Sequence, residues 1–109
     1  MEPKGRDVEI KTVAVIGAGV MGAQIAQVFA ASGFEVRLHD VREEALGAAL
    51  ERIEGHRFGL RRGVERGKLT AAGAEAALGR IAPTTDLAAA CAGGDMAIEV
   101  VYEDTAAKM

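Results

Sequence analysis

The sequence contains no tryptophan, one tyrosine and three phenylalanines, which leaves little material for a core filled by bulky rings. Cys91 is the only cysteine, so no internal disulfide and no site built on several thiolates can form. No apolar run approaches the roughly 20 residues of a membrane-spanning helix. The longest, Val13 to Ala23, is interrupted by three glycines. The N-terminus, MEPKGRDVEIK, has no apolar core of the kind secretory signals carry. An excess of one charge is missing too: 13 Lys and Arg stand against 16 Asp and Glu, interspersed, for a net charge of −3. Neither a nucleic-acid nor an anionic-membrane partner is expected. With two histidines, His39 and His56, and Ser32 as the only serine, no nucleophile–base pair, metal cluster or paired-carboxylate arrangement is evident. These absences lead to the expectation of a soluble, cytoplasmic protein that binds no metal.

What is present is glycine, alanine and aliphatic residues. The chain's 109 residues are enough for one domain and too few for two. Residues 1–10 read as a polar lead-in. Thr12–Ile16 is a β-branched run, apolar on both faces as a central parallel strand must be. Met21, Ile25, Val28 and Phe29 follow at one-face helical spacing, and Gly33 is placed to stop that helix in a left-handed conformation. Phe34–Asp40 reads as a second strand, with Val36 and Leu38 on one face. Residues 42–66 read as a long helix carrying Leu46, Leu50, Ile53, Leu60 and Val64. Gly47, Gly55, Gly59 and Gly63 work against its continuity, at up to about 1 kcal/mol each. Gly67 ends it, and Thr70 caps a further helix from Ala71 to Leu78. Ile81–Thr84 is a short strand that Pro83 confines to an edge or an end. Thr85 or Asp86 caps a small helix ending near Gly93. Asp95–Val101 reads as a buried-type strand, with a last helix from near Glu103. Ser32 is read as a residue near a helix end, and Cys91 as a small buried one. The pattern is α/β: a Rossmann-type parallel sheet with an inserted long helical pair, incomplete at the C-terminus.

The first strand and helix are joined by Gly17, Gly19 and Gly22, spaced G-x-G-x-x-G. Gly17 permits a tight turn, Gly19 leaves room for a close-approaching ligand, and Gly22 lets the helix pack on the strand. The helix start carries no Ser, Thr, Asp or Asn to cap its first N–H groups. A pyrophosphate would supply the missing acceptors, favoured by the helix dipole. Asp40 follows Gly22 by 18 residues, at the end of the second strand. A carboxylate there can accept hydrogen bonds from the adenosine ribose hydroxyls. It would repel a 2′-phosphate about 4 Å away by roughly 4 kcal/mol at an effective dielectric near 20. The expected cofactor is therefore NAD(H) rather than NADP(H), with Arg42 able to blunt the preference. The competing reading is a structural glycine turn with no ligand.

The segment GAGVMGAQIAQVFAASGFEVRLHD, followed by VERGKLT, RIAPTTDL and AIEVVYED with a later Lys, resembles the N-terminal domain of the 3-hydroxyacyl-CoA dehydrogenases. The likeness runs from about Lys11 to Lys108. β-Hydroxyacid dehydrogenases of the 6-phosphogluconate type share the glycine pattern. They are disfavoured by Asp40 and by the inserted residues 42–79. The resemblance implies that Gly17, Ala18, Gly19, Val20, Met21, Gly22 and Asp40 hold NAD, with Glu103 and Lys108 approaching the nicotinamide end. For those last two the competing role is that of solvated residues in the first turn of a helix. It also implies a contribution of the helical pair to coenzyme A binding. There Arg57, Arg61, Arg62 and Arg66 match no particular contact and read as a solvated basic face.

In the family, a His–Glu pair, a Ser and an Asn carry the oxidation of 3-hydroxyacyl-CoA to 3-ketoacyl-CoA, and all lie downstream of the region present here. The expectation is thus a cofactor-binding part of a dehydrogenase of fatty-acid or acyl-CoA metabolism, a fragment inactive on its own, with an acyl-CoA substrate in the intact protein. Assembly into a homo-oligomer is a second way to cover an unfinished sheet edge. The alternatives are a stand-alone NAD-binding or crystallin-like structural module, and another NAD-dependent dehydrogenase with the same βαβ start.

Overall fold

The structure is a computed structural model that describes residues 10–55, 60–67 and 69–100. Four strands, β1 (Thr12–Ile16), β2 (Glu35–His39), β3 (Ile81–Thr84) and β4 (Met96–Glu99), form one parallel sheet in the order β3-β2-β1-β4. The helices are α1 (Val20–Ala31), α2 (Glu43–Gly55), α3 (Leu60–Glu65), α4 (Ala71–Gly79) and α5 (Leu87–Cys91). The expected Rossmann-type α/β arrangement is observed.

β1 is central, and its Val13, Ala14 and Val15 are fully buried, as a strand covered on both faces requires. Val13 pairs with Val36 and Val15 with Leu38, so these four side chains share one face and form the centre of the core. Over them lie Ala23, Ala26 and Ala30 of α1, Leu46, Ala49 and Ile53 of α2, and Ala74 and Ala77 of α4. The opposite face presents Arg37, whose guanidinium donates to the Ala89 carbonyl of α5 at 3.5 Å. Pro83 falls in β3, which among the described residues is an edge strand bonded only to β2, where a missing N–H breaks no ladder. Gly33, at φ 103°, and Gly67, at φ 76°, follow the ends of α1 and α3. Thr70 and Asp86 cap α4 and α5 through their side-chain oxygens.

Three expectations need correction. The buried face of α1 is not Met21, Ile25, Val28 and Phe29. Gly22, Ala23, Ala26 and Ala30 are buried instead, while Met21 and Val28 are 62% and 63% exposed. The helix lies so close to the sheet that only small residues fit beneath it. The larger ones are displaced to its flanks, where Phe29 packs edge-on against Phe34 at 5.3 Å between ring centroids. β4 is not a buried-type strand: it lies at the sheet edge among the described residues, and only Ile98 is even half-buried. Cys91 is exposed rather than buried, because Ala90 takes the inward position in the last turn of α5.

The long helix expected over 42–66 is described as α2 and α3. Its continuity, together with His56, Arg57 and Gly59, lies outside the described residues. So do Val101, Glu103 and Lys108, and with them the expected last helix. One tie was not foreseen. The Asp95 carboxylate, just before β4, accepts from the backbone N–H of Lys11 at 2.8 Å and of Thr12 at 3.0 Å. This clasps the start of β4 to the start of β1.

Candidate functional site

At the carboxyl end of β1 the chain must reverse within a few residues to start α1. Gly17 makes the turn at φ 111°, a conformation that side chains disfavour, and its N–H donates to the His39 carbonyl at 2.7 Å. A Cβ on Gly17 would also sit 2.9 Å from the Val100 carbonyl oxygen. Gly22 is needed for a different reason: a Cβ there would collide with the Gly17 carbonyl oxygen. Gly19 has an ordinary φ of −75° and open space where its side chain would be. It is the N-cap of α1, and no side chain caps the helix. The uncapped N-terminus therefore faces open space, as the spacing implies.

That space is an open cavity of about 610 Å³, lined by Gly17 to Gly22 together with Gln24, Asp40, Arg42 and Val100. Seven of the residues singled out by sequence, Gly17, Ala18, Gly19, Val20, Met21, Gly22 and Asp40, are thus brought together. Glu103 and Lys108 lie outside the described residues. Gln24 and Val100 were not foreseen as lining residues. Gln24 carried only the sign of falling off the apolar positions of α1, and Val100 gave no signal before the register of β4 was known.

Asp40 connects two loops. One carboxylate oxygen accepts from the Ala18 N–H and the other from the Arg42 N–H, both at 3.0 Å. The Arg42 guanidinium stands 3.6 Å from the second oxygen. Desolvation pushes the Asp40 carboxyl up. The two backbone hydrogen bonds and the Arg42 charge together outweigh it and hold the group below its ordinary value. Asp40 is therefore an anion at neutral pH, with acceptor capacity left for a ligand's hydroxyls.

Of the two histidines only His39 falls among the described residues, and it supplies no base here. His39 is buried, 5% exposed, and its Nδ1 has no hydrogen-bond partner among the described residues. It alternates with Leu38 on β2 and so lies on the α5 face, off the cavity lining. His56 lies outside the described residues. Arg61 is exposed and pairs loosely with Glu54 at 3.5 Å, and Arg66 is exposed, consistent with a solvated basic face. Arg57 and the Arg62 side chain lie outside the described residues. Among the described residues, no group of His, Cys, Asp and Glu could hold a metal ion, and no helix is long and apolar enough to cross a membrane.

A parallel sheet with a glycine turn, an uncapped helix N-terminus and a strand-end carboxylate around one cavity defines a dinucleotide-binding α/β domain. Comparison with known proteins narrows the class. Residues 12–109 match the family described as 3-hydroxyacyl-CoA dehydrogenase, NAD binding domain, and the chain belongs to that family. It is 45% identical over 96 residues to a 3-hydroxyadipyl-CoA dehydrogenase of Escherichia coli strain K12, covering 88% of this chain and 19% of the relative. It is 41% identical over 100 residues to a probable 3-hydroxybutyryl-CoA dehydrogenase of Bacillus subtilis strain 168, covering 92% of this chain and 33% of that one. The crystal structure of an Escherichia coli 3-hydroxybutyryl-CoA dehydrogenase superposes with a TM-score of 0.79 at 44% identity, over 92% of this chain and 20% of the other. The chain thus spans between a fifth and a third of these proteins' length.

Proposed function

We propose that this chain is the cofactor-holding part of an NAD-dependent dehydrogenase acting on 3-hydroxyacyl-CoA thioesters, in which NAD accepts the hydride. The observation that carries the assignment is the uncapped N-terminus of α1 beside the Asp40 carboxylate in one cavity. The backbone N–H groups of Gly19 to Gly22 would receive the pyrophosphate, and Asp40 would receive the ribose hydroxyls. The family resemblance adds Glu103 and Lys108 as residues of the nicotinamide end. Residues 1–109 serve as one cofactor-binding unit, residues 1–10 being a lead-in.

Within the described cavity the ionisable side chains are Asp40 and Arg42. Neither is a base poised for a hydroxyl proton, since Asp40 is held below its ordinary pKa and a guanidinium offers no acceptor. We therefore expect the chain alone to bind NADH without turning over an acyl-CoA. The exposed thiol of Cys91 fits a reducing compartment, which supports a cytoplasmic location.

The test is titration of NADH and NADPH into the folded chain, with Asp40→Ala beside it. The expected result is preference for NADH in the parent and loss of that preference in the variant. Equal affinity of the parent for both cofactors would refute the role given to Asp40. Oxidation of NADH by the chain with acetoacetyl-CoA would refute the division of labour.

A further inference from the structure

The rim of the cavity carries two opposite charges two residues apart, and they favour different cofactors. A carboxylate at the end of the second strand suits a free ribose hydroxyl, whereas a nearby arginine suits a 2′-phosphate. We propose that Arg42 is a second determinant of cofactor choice: a latent 2′-phosphate ligand that Asp40 holds in check. The inference rests on the cavity being the dinucleotide site.

Three features of the geometry carry it. Asp40 is fixed by main-chain donors, Ala18 N–H on one oxygen and Arg42 N–H on the other, so its charge cannot swing away from the site. The Arg42 side chain is 66% exposed against 13% for Asp40, and it lines the same cavity. Among the described residues the guanidinium meets Asp40 through Nε, at 3.6 Å, a contact that leaves its outer edge turned to the open cavity. The two terminal amino groups of the guanidinium are therefore available to a phosphate in the paired geometry arginine favours. The Arg42 backbone is also held in place, its carbonyl accepting from Leu46 N–H in the first turn of α2 at 3.3 Å.

Arginine attracts a 2′-phosphate and Asp40 repels it, with the carboxylate the better fixed and less exposed of the two. The parent should prefer NADH, but by less than Asp40 alone would impose. Removing the Asp40 charge should then uncover the arginine rather than leave a neutral site.

The experiment measures dissociation constants for NADH and NADPH, at low and high salt, in the parent, Arg42→Ala, Asp40→Asn and the double variant. Arg42→Ala keeps the backbone N–H that Asp40 accepts, so the loop retains its bonds. Asn keeps the shape of Asp40 and one acceptor oxygen. In Arg42→Ala, the ratio of NADPH to NADH affinity should fall about five- to tenfold, the scale of an exposed charge pair with a phosphate. In D40N that ratio should rise at least about tenfold, and adding R42A should remove most of the gain. High salt should shrink the Arg42 effects. A ratio that R42A leaves unchanged in both backgrounds, while the parent binds NADH, overturns this proposal alone. A parent that binds neither cofactor overturns the site assignment and this proposal with it.

Discussion

Replacing Gly22 by alanine would place a methyl group against the carbonyl oxygen of Gly17, and nothing nearby can yield cheaply. Gly17 is held at φ 111° and hydrogen-bonded to His39. α1 meets the sheet through Ala23, Ala26 and Ala30, exposed by 2%, 0% and 0%. Two effects oppose each other. Alanine is the better helix former by about 1 kcal/mol in a helix interior, less in a first turn. Overpacking against fixed backbone costs about 1–3 kcal/mol. The steric cost should win, giving a net loss of about 1–2 kcal/mol. At this chain length that corresponds to a fall in melting temperature of roughly 5–10 °C.

Gly19→Ala is the matched control three residues away. Its φ of −75° suits any residue, and its Cβ would meet no atom within 4 Å. The fold should lose less than about 1 kcal/mol, the difference between glycine and alanine as an uncharged N-cap. The same methyl group would stand in the cavity proposed to receive the pyrophosphate, so NADH affinity should drop by about tenfold or more. Thermal melts and NADH titrations on both variants separate packing from ligand approach. If Gly22→Ala melts with the parent, or Gly19→Ala unfolds as readily as Gly22→Ala, the two roles have been wrongly divided.

Two further outcomes are expected. Asp40 and Asp95 both have carboxyls held below the ordinary value of 3.8. For Asp95 the main cause is the hydrogen bond from Lys11 N–H, followed by that from Thr12. A depressed folded-state pKa means that the stabilisation is present above the ordinary value and is lost as pH falls through the lowered one. Urea midpoints should therefore fall less steeply below about pH 4 in Asp95→Asn than in the parent; parallel curves would show that the clasp between β1 and β4 contributes nothing. Cys91 is exposed, so a thiol reagent should modify one equivalent in the native protein, and a need for denaturant would contradict its placement.

The parts legible in the sequence were those set by local rules. The turn glycines, the uncapped start of α1, the caps at Thr70 and Asp86, and Pro83 on an edge strand each follow from a few neighbouring residues. What escaped depended on distance of approach. The face of α1 was misread because large apolar residues dominate a periodicity count. Burial is decided by how closely the helix lies on β1, and Gly22 sets that closeness. β4 has an apolar sequence, yet it is exposed because among the described residues it ends the strand order. The Asp95 clasp joins residues 84 and 83 positions apart, and no local pattern announces it.

Asp40 shows how the two kinds of information meet. Its spacing from Gly22 singles it out as the proposed ribose ligand, but does not show that its carboxylate already ties the loop after β1 to the loop after β2. The Ala18 N–H and the Arg42 N–H fix the anion before any ligand arrives, so it need not reorganise to meet a hydroxyl. The same bonds hold the Arg42 backbone beside the glycine turn. In the proposed site, cofactor choice and loop geometry would therefore share one set of atoms. A substitution at Asp40 alters both, whereas truncating the Arg42 side chain removes the guanidinium and leaves these main-chain bonds in place. That asymmetry makes Arg42→Ala, rather than any change at Asp40, the cleaner probe of the proposed discrimination between a hydroxyl and a phosphate.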